Sequence, residues 1–78
     1  MAVNKKVEII EHIATLNTND KNWTKELNKV SWNGNDPKYD IREWSPDHDR
    51  MGRGNTFTHD EMVALKAALN QTDLSEEE

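Results

Sequence analysis

Lys38-Tyr39-Asp40-Ile41-Arg42-Glu43-Trp44 is the cleanest alternating segment of this 78-residue chain, and Ser45-Pro46 follows it directly. A period of two marks a strand whose successive side chains face opposite ways. Tyr39 and Ile41 are read as pointing inward, toward a core. Lys38, Asp40, Arg42 and Trp44 then point outward. Pro46 cannot donate to a central ladder and ends the strand.

The flanking sequence extends this into a meander. Upstream, Asn33-Gly34-Asn35-Asp36-Pro37 is the strongest turn signal, because an Asn-Gly pair tolerates positive φ and Pro37 fixes its own. Trp23 to Asn33 suits a second strand, with Val30 and Trp32 facing the core and Lys25 and Lys29 facing outward. Thr18 to Asn22 is a further turn. Val7 to Leu16 is rich in β-branched residues and lacks a helix cap, so it is read as a curved strand. Its apolar positions do not alternate, and a short helix competes for the same stretch. Downstream, residues 47–54 read as a polar loop and Asn55-Thr56-Phe57 as a short fourth strand.

Thr58 and Glu61 form a capping box that starts a helix, with Met62, Leu65 and Leu69 on one apolar stripe. Phe57, just before the cap, is placed to pack on Met62. The helix is expected to end between Asn70 and Asp73. The fold class is therefore α+β: a curved four-stranded antiparallel sheet followed by one helix, with one sheet face covered and the other exposed. Residues 5–70 form one domain, and 71–78 an acidic tail with nothing to bury.

The net charge of −5 is unevenly spread. Residues 21–53 hold seven of the ten basic residues against six acids, a net of +1, whereas residues 54–78 hold one Lys against six acids, a net of −5. A phosphate backbone responds to local potential, so the basic middle segment with Trp23, Trp32, Tyr39 and Trp44 is the candidate binding region. Lys25, Lys29, Lys38, Arg42 and Trp44 are read as one exposed sheet face, with Arg50 and Arg53 extending it from a flexible loop. Trp32 and Tyr39 are assigned to the core, Trp44 and Trp23 to the surface. An exposed indole stacks on unpaired bases, and cations neutralise phosphates, which suits single strands better than duplex.

Other classes of function find little support. The absence of cysteine removes thiolate catalysis, disulfides and Cys-ligated zinc. His12, His48 and His59 show no shared metal-ligand spacing, and neither a P-loop nor a nucleophile elbow is present. No catalytic site, metal or cofactor is expected. The chain has no apolar run of the roughly 20 residues a membrane span needs, so it is read as cytoplasmic.

At Asp40-Ile41-Arg42-Glu43-Trp44, followed by Met51-Gly52-Arg53-Gly54 and the Thr58-capped helix, the chain resembles YdbC-type bacterial members of the transcriptional positive cofactor four (PC4-like) family. The resemblance spans roughly residues 5–70. It implies a ββββα fold that dimerises through its helices and nearby strand edges, here Phe57, Met62, Leu65 and Leu69. It also implies a groove between two subunits that prefers single-stranded DNA with little sequence preference. Arg42 matches the family's strand arginine, Trp44 the aromatic position after it, and Arg50 and Arg53 the basic loop. Lys25 and Lys29 correspond to basic positions in the first two strands. Trp44-Ser45 departs from the paired aromatics of eukaryotic members, and the basic second turn is replaced by Asn33 to Pro37. The resemblance thus implies a homodimeric, nucleoid-associated protein acting in transcription regulation or in replication and repair, with single-stranded DNA as partner and RNA or melted duplex as alternatives. The competing reading is a module that docks transcription factors or polymerase subunits.

Overall fold

A computed structural model describes residues 6–75. Four strands, β1 (Val7–Thr18), β2 (Thr24–Trp32), β3 (Lys38–Trp44) and β4 (Met51–Phe57), form an antiparallel sheet in sequential order, and α1 (His59–Asn70) follows. The α+β meander with one C-terminal helix is thus the architecture. The expected domain start at residue 5 and the last three residues of the expected tail lie outside the described residues.

Local chemistry accounts for the connections. Asn33 and Gly34 both adopt positive φ (55° and 77°), and Asn35 N–H donates to the Trp32 carbonyl at 2.9 Å, as a tight Asn-Gly hairpin turn requires. In the first turn, the Asn19 side chain accepts from the Lys21 and Trp23 N–H groups at 2.8 and 3.0 Å. The capping box is complete: Glu61 N–H donates to Thr58 Oγ1 at 3.1 Å and Thr58 N–H to Glu61 Oε1 at 2.8 Å.

Strand β1 explains its own irregular sequence. Its twelve residues make nine pairings with β2, and Ile10, Ile13 and Leu16 are the three left unpaired at successive register shifts. An extra residue at every third position is a run of bulges, which breaks alternation and bends the strand. The apolar residues recur every third position because the bulges do, and all three are exposed.

The fourth strand begins earlier than expected. Residues 47–54 are not a single loop: Met51 to Gly54 already belong to β4, where Met51 pairs with Trp44 and Gly54 with Arg42. Only Ser45 to Arg50 connect the strands, and this connection is built rather than loose. Pro46 sits second in a turn closed by His48 N–H donating to the Ser45 carbonyl at 2.8 Å. The buried Ser45 hydroxyl donates to Asp47 Oδ1 and accepts from the Arg50 N–H, both at 2.9 Å.

Register decides which side chains share a face. Glu26 pairs with Arg42, Asn28 with Asp40, and Thr24 with Trp44, so these share one side of the sheet with Val30 and Trp32. Leu27 pairs with Ile41 and Lys29 with Tyr39 on the other side, where α1 packs. There Leu16, Leu27 and Ile41 line a groove with Met62, Leu65 and Leu69. The burial is slight: no helix residue is buried, and Val30 and Trp44 are the buried apolar residues among those described.

Candidate nucleic-acid interface

The face opposite the helix carries a polar cluster rather than an apolar core. Asp40, fully buried, is gripped bidentately by Arg42: Nε donates to Oδ2 at 2.7 Å and Nη2 to Oδ1 at 2.9 Å. Thr56 Oγ1 donates to the same carboxylate at 3.1 Å. Arg42 Nη1 donates to the Gly52 carbonyl at 3.3 Å, and the guanidinium lies 4.8 Å from the Trp32 ring centroid. A fork matched to a carboxylate is the strongest pairing available to arginine. Arg42 is therefore internally neutralised and organises the sheet.

A second cluster centres on Glu26, also buried. Its Oε2 accepts from Thr24 Oγ1 at 2.5 Å and meets His48 Nε2 at 2.8 Å. Its Oε1 accepts from Asn28 Nδ2 at 3.0 Å and lies 3.4 Å from His12 Nδ1, which is 2.7 Å from Asn28 Oδ1. Burial pushes this carboxyl up. The hydrogen bonds from Thr24, Asn28 and His48 and the charge of His48 outweigh it and leave Glu26 below the usual carboxylate range. The sign follows: the stabilisation is present above the unfolded-state pKa and lost as pH falls through the lower folded value. Glu26→Gln is accordingly expected to flatten the acid limb of a stability–pH curve below about pH 4.5. Equal acid transitions in both proteins would contradict this.

The sequence-predicted site residues separate in space. Lys38, Arg42 and Trp44 share the cluster face, but Lys25 and Lys29 lie on the helix side, so the expected single basic face is divided between two. Val30 and Trp32 thus share a side with Arg42 rather than with Tyr39 and Ile41, since parity within a strand does not fix register between strands. Trp44, expected at the surface, is 4% exposed, with His48 stacked on it at 5.6 Å and 23°. Trp32 and Tyr39, expected in the core, are only half-buried. Tyr39 sits between Lys29 (5.5 Å to its ring centroid) and the His59 ring at 6.3 Å.

Of the cations expected at the site, Lys25, Lys38, Arg50 and Arg53 are exposed. Trp23 is half-buried, and the Arg50 guanidinium stands 5.8 Å from its ring centroid. Arg53 lies in β4 and Arg50 in the hydrogen-bonded connection, so neither is on a flexible loop. Phe57, Met62 and Leu65 are half-buried and Leu69 is exposed, which leaves apolar helix surface uncovered. Two buried donors, Trp32 Nε1 and Trp44 Nε1, have no acceptor. The convergence of His12 and His48 on Glu26 escaped the sequence reading: these residues lie 14 and 22 positions from Glu26, and only the bulged register of β1 and the turn at Pro46 unite them. Among the described residues no group of three or more His, Asp or Glu is placed to hold a metal ion.

These features define a small single-sheet domain with a helix on one side and the Arg42–Asp40 and Glu26 clusters on the other. Residues 19–68 match the family described as Transcriptional Coactivator p15 (PC4), and the chain belongs to that family. Over 67 residues it is 48% identical to an uncharacterized protein of Treponema pallidum (strain Nichols), a match covering 86% of this chain and 79% of that protein. Among the described residues no helix is long and apolar enough to cross a membrane.

Proposed function

We propose that this chain is a YdbC-type, homodimeric single-stranded DNA-binding protein with little sequence preference, serving transcription regulation or replication and repair at the nucleoid. The observation that carries this reading, together with family membership, is the pair of arginine–indole contacts, Arg42 with Trp32 and Arg50 with Trp23. Bases stack on half-exposed indoles, and Lys38, Arg50 and Arg53 take the phosphates. Stacking on an indole is tolerant of sequence, because every base has a π-face.

The homodimer part of the reading rests on uncovered apolar surface. Ile10, Ile13 and Leu16 on the sheet edge, with Val63 and Leu69 on the helix, are all more than 40% exposed. A chain this short gains stability by burying such surface against a second copy.

Fluorescence-anisotropy titration of a labelled oligothymidylate over a range of salt concentrations tests the proposal. The protein should sediment as a dimer, and log K should fall linearly with log salt. Replacing Lys38 and Arg53 together by alanine should flatten that slope by about 0.7 per lost phosphate contact. These exposed positions are better probes than Arg42 or Trp44, whose removal also damages the sheet. Absence of binding at low salt, or a slope indifferent to the double substitution, would overturn it.

A further inference from the structure

We infer that the His48 imidazole stands in for a nucleobase, covering a stacking site on Trp44 that a strand must uncover; this rests on the single-strand reading above. Trp44 lies in the family-matched segment, yet it is 4% exposed. The side chain that covers it is a flat heteroaromatic ring, 5.6 Å away between centroids and inclined by 23°. This is an offset stack, the arrangement a base adopts on an indole. The ring also presents an edge: its Nε2 is 2.8 Å from Glu26 Oε2, where a base would place an N–H donor.

The turn that carries the cover does not depend on the ring. His48 occupies a tight turn held by main-chain and Ser45 contacts, none of which uses the imidazole. Its side chain is about two-fifths exposed, so rotation into solvent is open to it. His48 adopts φ +60°, a conformation glycine and asparagine hold more readily than histidine. A cleft of about 270 Å³, walled by Val7, Ile9 and Met51, opens beside Trp44 and His48. Trp44 Nε1 has no acceptor in the covered arrangement, so that arrangement leaves one polar group unsatisfied.

The charges nearby select the kind of group that enters. Glu26 faces His48 from β2, Glu8 lines the cleft from β1, and Asp49 lines it from the β3–β4 connection; His12 shares Glu26 from β1. A phosphate would meet carboxylates from three elements. A neutral aromatic base with an N–H edge meets an indole face, apolar walls and a hydrogen-bond acceptor. The site therefore takes a base, while phosphates stay with Lys38, Arg50 and Arg53.

His48→Gly removes the ring and keeps the turn, and His48→Asn does the same with a residue that also tolerates positive φ. Both should bind oligothymidylate more tightly than the wild type, by about three- to tenfold, the factor corresponding to one lost competing hydrogen bond. A strand of the same length carrying abasic sites throughout should bind all three proteins alike. In the wild-type protein, adding oligothymidylate should shift the His48 ring and Trp44 indole N–H resonances together. Equal or weaker binding by folded His48→Gly and His48→Asn, a matching gain on the abasic strand, or saturation with unmoved His48 resonances would each overturn the inference and leave single-strand binding standing. If none of the proteins binds either strand, both readings fall together.

Discussion

Asp40→Ala is expected to destabilise the protein by about 3–5 kcal/mol, the usual consequence of stripping one partner from a buried ion pair. Asp40 is fully buried and accepts three side-chain hydrogen bonds, two from Arg42 and one from Thr56. Its loss leaves a largely buried guanidinium with the Gly52 carbonyl, the Met51 sulfur and the Trp32 ring as its remaining company. A domain of this length has roughly 4–12 kcal/mol to lose, so a substantial unfolded population should appear in mild urea. Replacing both members of the pair with apolar residues of similar volume, Asp40→Leu with Arg42→Met, should recover most of the loss. The comparison separates a missing charge partner from a missing shape. A single-variant loss below about 1 kcal/mol would show that the pair is not what holds β3 and β4 in register.

Gly54→Ala should be comparably damaging, by about 3 kcal/mol or more, through backbone rather than charge. A Cβ at Gly54 would overlap Arg42 Cβ and the Ile41 carbonyl oxygen and come within 2.9 Å of Arg42 Cα. None of these is the flexible end of a side chain, so β4 would have to part from β3 where Arg42 is held. Gly52 is the internal control: its nearest neighbour would be Glu43 Cβ at 3.6 Å, an ordinary contact, and Gly52→Ala should cost less than about 1 kcal/mol. Guanidinium unfolding of the two variants side by side gives the contrast, and similar stabilities would contradict it. Two glycines in Gly52-Arg53-Gly54 would by themselves allow a close backbone approach to an anion. The close approach at Gly54 is in fact to the neighbouring strand.

What was legible in the sequence was whatever local chemistry determines. The Asn33-Gly34 turn, the strand Lys38–Trp44 and the capping box of Thr58 and Glu61 each carry their cause within a few residues. The facing of β2 against β3 does not. Alternation shows that Glu26 and Val30 share a side, but the side they share with Arg42 depends on a pairing made across the turn. The bulges of β1 were invisible for a related reason, since their apolar spacing also fits a helix. Trp44 is buried by a ring four residues away that only the turn at Pro46 carries back over it. Asp40 and Arg42 were recognisable as neighbours on one face. That the pair would be buried and complete was not, because burial is set by Trp32, Gly52 and Thr56 on other strands.

The bulges of β1 also bear on how the chain behaves when crowded. An outer strand normally offers a ladder of unsatisfied amides and carbonyls to any extended segment that passes. Here nine regular positions are interrupted three times, at Ile10, Ile13 and Leu16, so no straight strand can keep step with that edge for more than a few residues. The same irregularity that hides β1 from a pattern search makes it a poor template for polymerisation.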